Sequence, residues 1–249
     1  MLTKQRREIL LKILEEQGSV TVTELKEMLD ASEATIRRDI TSLDQEGKLE
    51  KVFGGALAVE QKVMAHEYTV AQKREFNFQE KRKIAKYAAS LIVEEDFVYL
   101  DAGTTTAHML EFIRQSNATF VTNAVAHAQN LAARGMKVFL IGGELKASTE
   151  AVVGSQAMQT LLNYHFTKGF FGTNGVTRQS GCTTPDSNEA LIKRAAMNQC
   201  KKCYILCDST KFGNVSPVTF ADFYKPVFLT EKQVAGYEDC ENIIVVKED

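Results

Sequence analysis

From about residue 78 onward, short apolar runs alternate with stretches of helical periodicity. Seven runs have the length of β-strands, and they lie at 97–100, 119–122, 137–141, 168–172, 204–207, 227–230 and 243–246. Helical patterns stand between them at 107–114, 125–134 and 188–200. This alternation predicts an α/β domain built on a mostly parallel sheet, with helices on both faces.

The residues that follow the predicted strands are mostly small and polar. Ligands of parallel sheets bind beyond the carboxyl ends of the strands, so these residues would share one edge. Asp101-Ala-Gly-Thr-Thr-Thr106 follows the first run and precedes a helix. Gly103 would let backbone approach an oxyanion, and the threonine amides and hydroxyls with the helix N-terminus would attract it. The segment lacks the lysine of a P-loop and the spacing of a dinucleotide fingerprint.

Four further strand ends carry similar residues, namely Asn123; Gly142, Gly143, Glu144 and Lys146; Gly172, Asn174 and Gly175; and Asp208, Ser209 and Lys211. One such loop would be an ordinary turn, but five at one edge predict an anion-binding pocket. Glu189 and Lys193 stand four residues apart on a predicted helix. Either they form a surface ion pair, or Lys193 lies at the mouth of this pocket.

Residues 32–47 read as one short amphipathic helix with both ends marked. Ser32 can cap its N-terminus, and Gly47 can take the left-handed position at its end. The face opposite its apolar positions, with its flanks, carries Ala34, Thr35, Arg37, Arg38, Thr41, Ser42 and Gln45. Such a face can enter a DNA major groove, where arginine pairs with guanine. Alone, the pattern favours an ordinary solvated helix.

The neighbouring sequence completes a winged-helix pattern. Thr3 can cap a first helix that Gly18 ends, and Thr21 with Glu24 forms a capping box at the start of a second helix. This second helix, a tight turn and the 32–47 helix follow the helix-turn-helix plan. Two strand-like runs around Gly54-Gly55 predict a hairpin, the wing.

Positive charge in this region is local, because residues 1–58 hold nine Lys/Arg against eleven Asp/Glu. DNA binding would therefore depend on a localised set of cations. The candidates are Lys4, Arg6, Arg7, Arg37, Arg38, Lys48 and Lys51.

The run LKEMLDASEATIRRDITSLDQEGKLEKVFGGA, at 25–56, resembles the N-terminal signature of DeoR-type repressors of sugar catabolism. The match is close over S-E-A-T-I-R-R-D and G-G-A, whereas Lys51 and Phe53 stand where the family usually has Arg and His. In that family the second helix of the pair reads the operator. The resemblance implies DNA contacts by Ser32, Glu33, Thr35, Arg37, Arg38, Thr41, Ser42, Lys48 and Lys51.

The strand-end loops resemble the sugar-phosphate sensor domain of the same family, which is related in fold to ribose-5-phosphate isomerase and CoA transferases. The resemblance implies a phosphorylated hexose as effector, and likeness to repressors of fructose phosphotransferase operons suggests fructose 1-phosphate. The implied effector-binding residues are Asp101, Gly103, Thr104, Thr105, Thr106, Asn123, Gly142, Gly143, Lys146, Gly172, Asn174, Gly175, Glu189, Lys193, Asp208 and Lys211.

These patterns predict two domains in one chain. We expect a winged helix-turn-helix DNA-binding domain over 1–58, a linker over 59–77 and a Rossmann-like α/β sensor domain over 78–249. Asn77 and Glu80 are predicted to cap the first helix of the sensor domain. The expected partners are double-stranded operator DNA, a phosphorylated sugar and further copies of the chain, as a dimer or tetramer.

Two other functions are compatible with the sequence. A phosphosugar isomerase with an accessory DNA-binding domain would need a carboxylate base, for which Asp101, Asp186 and Glu189 are available. An activator of the same architecture would differ only in the position of its operator. The regulator is the main hypothesis, and it requires no catalytic residue.

Cysteine usage and hydropathy predict a cytoplasmic protein without metal, cofactor or membrane partner. Cys200 and Cys203 form one C-x-x-C with no second pair at zinc-finger spacing, and an odd set of five cysteines fits reduced thiols. No apolar run approaches the length of a membrane span, and the N-terminus lacks a signal-peptide core.

Overall fold

The computed structural model describes residues 2–58, 69–114 and 117–247. The chain divides into two compact units, Met1–Lys62 and Val63–Asp249. No helix in these ranges is both long and apolar enough to cross a membrane.

The first unit is a winged helix-turn-helix, as predicted. Its elements are α1 (Thr3–Gln17), β1 (Ser19–Thr21), α2 (Val22–Leu29), α3 (Glu33–Gln45), β2 (Leu49–Val52) and β3 (Gly55–Ala58). The wing strands β2 and β3 pair antiparallel, and β1 adds an unpredicted third strand in the order β1-β3-β2. Gly55 allows this pairing, because a Cβ there would lie 2.3 Å from the Val20 carbonyl oxygen.

Helix ends in this unit mostly follow the local sequence signals. Ser32 Oγ accepts from the Thr35 amide at 3.3 Å, and Thr21 with Glu24 closes the predicted capping box. Gly47 takes a positive φ of 68° just beyond α3. The predicted Thr3 cap is wrong, since Leu2 holds the N-cap position without a capping side chain.

A buried carboxylate joins α1 to α3. Asp39 accepts from Arg6 Nε at 2.6 Å and from Arg7 Nε at 2.9 Å, and the side chain is almost completely buried. Arg7 also reaches Glu46 Oε1 at 3.4 Å. The prediction that Arg6 and Arg7 supply positive charge for DNA is therefore wrong for the buried Arg6, and it is weakened for Arg7.

The helices of the second unit are α4 (Val70–Glu75), α5 (Phe78–Ser90), α6 (Thr104–Phe112), α7 (Val125–Ala133), α8 (Ser155–Leu161) and α9 (Ser187–Asn198). Its strands are β4 (Phe97–Leu100), β5 (Thr119–Thr122), β6 (Lys137–Leu140), β7 (Glu144–Lys146), β8 (Ala151–Val153), β9 (Phe166–Gly172), β10 (Gly175–Thr177), β11 (Gly181–Thr184), β12 (Cys200–Leu206), β13 (Val218–Ala221), β14 (Val227–Thr230) and β15 (Ile243–Val245). A short 3₁₀ helix spans Ser209–Lys211.

All seven predicted strands lie in one parallel sheet, in the order β15-β14-β12-β9-β4-β5-β6. Successive side chains of a strand point to opposite faces, so the sheet has a core on each side. Tyr99 and Phe171 belong to one core, and Val98 and Phe170 belong to the other. The predicted fold class is confirmed.

Several elements of the second unit were not predicted from the sequence. The β7-β8 hairpin and the antiparallel sheet β10-β11-β13 consist of strands of three or four residues, too short to show a period. Helix α4 lies within the predicted linker, where Thr69 and Gln72 form a capping box. Strand β12 begins at Cys200, inside a stretch predicted to be helical, because residues 200–202 pair with β9.

Asp39→Ala should destabilise the first unit. The change leaves the buried Arg6 guanidinium without its carboxylate, and breaking a buried pair in this way costs about 3–5 kcal/mol. Chemical denaturation of the isolated 1–62 fragment and of the full chain would measure the loss. Glu33→Ala, which removes an exposed partner of Arg37, is the matched control and should change stability by less than about 1 kcal/mol.

Candidate functional sites

The exposed face of α3 presents two guanidinium groups to solvent. Arg37 makes only a surface pair with Glu33 at 3.5 Å, and both side chains are more than half exposed. Arg38 has no ion pair or hydrogen bond within the described part of the chain. An open depression of about 320 Å³ on this face is lined by Arg37, Arg38, Thr41, Ser42 and Gln45. The face is therefore cationic, concave and free for a polar ligand.

The wing strand β2 lies against the same face of α3. Lys51 Nζ donates to Thr41 Oγ1 at 3.0 Å, and the Lys51 amide donates to Asp44 Oδ1 at 2.9 Å. Thr41 Oγ1 in turn donates to the Arg37 carbonyl at 2.8 Å. Lys51 thus adds its charge beside Arg37, within one continuous surface.

Other predicted DNA contacts are partly engaged within the protein. Lys48 pairs with Glu46 at 2.8 Å, and this hydrogen bond and charge hold the pKa of Glu46 below its usual value. Ser42 Oγ also donates to Glu46, at 3.2 Å. The hydroxyl groups of Ser32 and Thr35 share a hydrogen bond of 2.9 Å at the start of α3. These side chains frame the Arg37 and Arg38 surface and must exchange partners to contact DNA.

At the carboxyl edge of the large sheet, the centre of the second unit is a buried ion pair. Asp101, directly after β4, accepts from Lys193 of α9 and from the Gly172 amide at 3.0 Å. Lys193 also donates to the Gly172 carbonyl at 3.2 Å. The interpretation of Glu189 and Lys193 as a surface ion pair is wrong, because both residues are buried and each has other partners.

Glu189 belongs to a neighbouring group on the hairpin β7-β8 side. Lys146 Nζ lies 3.2 Å from Glu189 Oε1 and 3.1 Å from Asp186 Oδ2, and Thr149 also donates to Glu189. Asp186 caps α9 by accepting from the Glu189 amide at 2.8 Å. The charge of Lys146 is thus already paired with two carboxylates within the protein.

The N-terminus of α6 is open to an anion. Gly103 is its N-cap residue and no side chain caps the first amides, while Thr104 and Thr105 follow in the first turn. Thr106 Oγ1, however, donates to the carbonyls of Asp101 and Gly103 at 2.6 and 2.8 Å. The predicted hydroxyl donor is therefore wrong at Thr106, although the uncapped amides fit the prediction for this loop.

Other predicted site residues shape the strand ends. Asn123 is buried, and it accepts from the Ala102 amide at 2.9 Å and donates to the Val152 carbonyl at 3.3 Å. Gly143 (φ 152°) lets β8 approach, since a Cβ there would lie 2.5 Å from the Val153 carbonyl oxygen. Elsewhere on this edge, Asn174 accepts from Thr184 and Gly175 lies against Asn214, while Gly142 is exposed.

The structure adds Asn77 and Lys81 to this edge, and neither was among the predicted effector-binding residues. Asn77 has a left-handed backbone (φ 52°), and its amide donates to Asp208 Oδ1 at 2.9 Å and to Thr210 Oγ1 at 3.1 Å. The predicted capping bond of Asn77 is therefore wrong. Lys81, one turn further, is buried and donates to the Lys73 carbonyl.

Two buried bases at this end of the unit have lowered pKa values. Burial, and then the charge of Lys211, lowers the pKa of Lys81 to about 8, while Asp208 opposes the shift. Burial, and then the charge of Arg74, lowers the pKa of His127 to about 4. His127 is therefore neutral near pH 7, and its Nδ1 has no partner among the described residues.

Within the described ranges no three His, Cys, Asp or Glu side chains are grouped to bind a metal. The C-x-x-C thiols bond to backbone instead, Cys200 to the Ala196 carbonyl and Cys203 to the Met197 carbonyl.

A winged helix with an exposed cationic face, in one chain with an α/β domain that gathers polar groups at one sheet edge, defines a DNA-binding regulator with a sensor domain. The family model described as a DeoR-like helix-turn-helix domain matches residues 6–62, and that of the DeoR C terminal sensor domain matches residues 76–230. The chain belongs to the DeoR family of transcriptional regulators.

Two related regulators align with almost the whole of this chain. The HTH-type transcriptional regulator FruR of Bacillus subtilis, itself uncharacterized, is 38% identical over 249 residues, which is 99% of this chain and 98% of that protein. The lactose phosphotransferase system repressor of Streptococcus mutans is 32% identical, over 97% of this chain and 94% of its own. A ribose 5-phosphate isomerase of Methanocaldococcus jannaschii matches 55% of each chain with a TM-score of 0.42 and 13% identity.

Lys193→Met should destabilise the second unit, because Asp101 would keep a buried charge without its cation. We expect a loss of about 3–5 kcal/mol, with partial recovery in the double variant Asp101→Asn/Lys193→Met, which removes both charges. Urea unfolding followed by circular dichroism measures both values. The exposed Lys232→Met is the control, and equal stability of Lys193→Met and this control would contradict the buried-pair interpretation.

Proposed function

We propose that this protein represses a sugar-utilisation operon and that a phosphorylated sugar bound in the second unit controls its binding to the operator. The observation that carries the proposal is the free reading face of α3, with Arg38 unpaired among the described residues. The names of two relatives, a lactose phosphotransferase system repressor and FruR, support a sugar operon as the target.

Helix α3 has the features of a major-groove reader. Its outward side chains are short or end in guanidinium groups, so backbone can approach base edges while Arg38 pairs with guanine. Lys51 of the wing lies 3.0 Å from Thr41, so it can contact the phosphates beside the same groove. A dimer or tetramer would present two such helices to a repeated operator.

The sheet edge of the second unit has donors for an anionic effector. The uncapped first turn of α6 supplies amides and a partial positive charge, and Thr104 remains partly accessible there. A ligand that binds one conformation of the protein better shifts the population of the DNA-binding state. Fructose 1-phosphate is the first candidate, because the name FruR and the sequence resemblance both suggest fructose metabolism.

The contacts at the sheet edge disfavour an isomerase. Each carboxylate that could act as the base already has partners: Asp101 has Lys193 and the Gly172 amide, while Asp186 and Glu189 share Lys146. A general base accepts a proton through a carboxylate oxygen, and an oxygen of each of these carboxylates is already engaged within the protein. A role as activator would need the same protein geometry and a different operator position, so promoter fusions distinguish it from repression.

Arg38→Ala should weaken specific DNA binding by about 1–3 kcal/mol, or roughly 5- to 150-fold, if the guanidinium reads a base. The probes are duplexes that the protein itself selects from a random-sequence library, compared with scrambled duplexes in anisotropy titrations. Lys12→Ala, at an exposed position of α1, is the matched control. Unchanged selectivity of Arg38→Ala would remove Arg38 from the base-reading set.

A panel of hexose and pentose phosphates should contain at least one compound that raises the unfolding temperature. A ligand at a hundred times its dissociation constant stabilises by about 2.7 kcal/mol. The unphosphorylated sugars are the controls, and Thr104→Ala should weaken any hit. A flat response across the panel contradicts the sensor role, whereas conversion between aldose and ketose phosphates by the purified protein would favour the isomerase.

A further inference from the structure

The buried ammonium group of Lys81 has unused hydrogen-bonding capacity. Its side chain lies in the first turn of α5 and only 4% of the residue is exposed. An ammonium group has three donors, and within the described ranges the Lys73 carbonyl is its one hydrogen-bond acceptor. A buried cation with this deficit requires a further acceptor when the site is in use.

In the part of the chain that the structure describes, the neighbouring Asp208 carboxylate forms no ion pair with Lys81 within 4.0 Å, although its charge partly opposes the lowering of the Lys81 pKa. Asp208 accepts instead from three neutral donors, the Asn77 amide at 2.9 Å, the Thr210 backbone amide at 3.2 Å and the Thr210 hydroxyl. Lys211 lies close enough for its charge to act on Lys81, yet among the described residues neither lysine forms an ion pair within 4.0 Å. Two ammonium groups therefore lie near one carboxylate whose Oδ1 already accepts three hydrogen bonds.

Other charged groups near this turn have partners of their own. On α5, Arg82 pairs with Glu111 of α6 at 3.0 Å, and Lys83 donates to the Glu231 carbonyl at 3.5 Å. The Glu231 carboxylate accepts from the Ser209 amide at 2.9 Å. On α4, the backbone carbonyl of Lys73 accepts the hydrogen bond from Lys81. The side-chain charge of Lys73 repels that of Lys81 and helps to lower its pKa. Glu80 lies beside Lys81 in sequence, at a half-buried position of α5.

We propose that Lys81 and Lys211 bind the phosphate group of the effector, with Asn77 held beside them by Asp208. This inference rests on the proposed function and extends it, since it names the phosphate subsite and adds Lys81 to the residues predicted from sequence. A phosphate dianion matches two ammonium groups in charge, and its three oxygens can accept from both. The ring centroids of Phe78 and His108 lie 5.0 Å apart, so the first turn of α5 packs against α6.

Binding at this subsite takes up a proton at alkaline pH. The pKa of Lys81 is lowered to about 8 by burial and by Lys211, and a bound dianion raises it again. Effector affinity is therefore highest below pH 8 and falls as the pH rises and free Lys81 loses its proton. Between pH 7 and pH 9 the fall should be about tenfold, because the charged fraction of a group with this pKa falls by that factor.

Isothermal titration of the full chain tests the subsite with two kinds of probe, inorganic phosphate and the phosphorylated hexoses of the panel. Lys81→Met should weaken both kinds of probe at pH 7 by at least about tenfold, whereas Lys81→Arg should bind at pH 7 and lose the tenfold fall by pH 9. Lys86→Met, an exposed lysine on the same helix, is the matched control and should behave as the original chain. Thermal unfolding checks that each variant is folded.

The outcomes separate this inference from the proposed function. If a sugar phosphate binds and Lys81→Met binds it equally well, the subsite is overturned and the regulator stands. If no sugar phosphate binds but inorganic phosphate does so through Lys81, the subsite is supported and the sugar effector is not. If neither probe binds the original chain, both fail. A pH dependence retained in Lys81→Arg would also overturn the role of Lys81, whether or not Lys81→Met folds.

Discussion

Parallel pairing of seven strands is the constraint on which the second unit depends. Because the strands run in one direction, their carboxyl ends meet at one edge, and residues far apart in the chain become neighbours there. Asp101 and Lys193 are the clearest case, separated by 92 positions and joined by one buried ion pair. Burial of that pair requires both partners, and its contacts with Gly172 join β4, β9 and α9 at this edge.

The polar residues at this edge divide into two groups with different roles. Asp101, Asn123 and Thr106 form bonds within the protein and hold the loops in place. The first amides of α6 and the ammonium group of Lys81 still have donors to offer. A binding site needs both groups, because donors recognise an anion well only when fixed groups hold them in position.

The first unit separates its arginines in the same way. Arg6 and Arg7 turn inward to Asp39 and hold α1 on α3, while Arg37 and Arg38 turn outward from the neighbouring positions of α3. Since Asp39 lies on the buried face of α3, the inner ion pairs orient the helix that carries the outer guanidinium groups. The motif Arg-Arg-Asp therefore combines an outward cationic surface with the ion pairs that hold its helix in place.

Local and periodic signals in the sequence determined much of the fold. The capping box at Thr21, the left-handed Gly47 and the seven apolar runs each depend on neighbours in the chain, so the winged helix and the parallel sheet could be predicted. Only the tertiary structure decided which charges are free. Lys193 selects Asp101 over Glu189, and Asn77 bonds to Asp208 instead of capping its own helix, because long-range packing sets which polar groups meet in the interior.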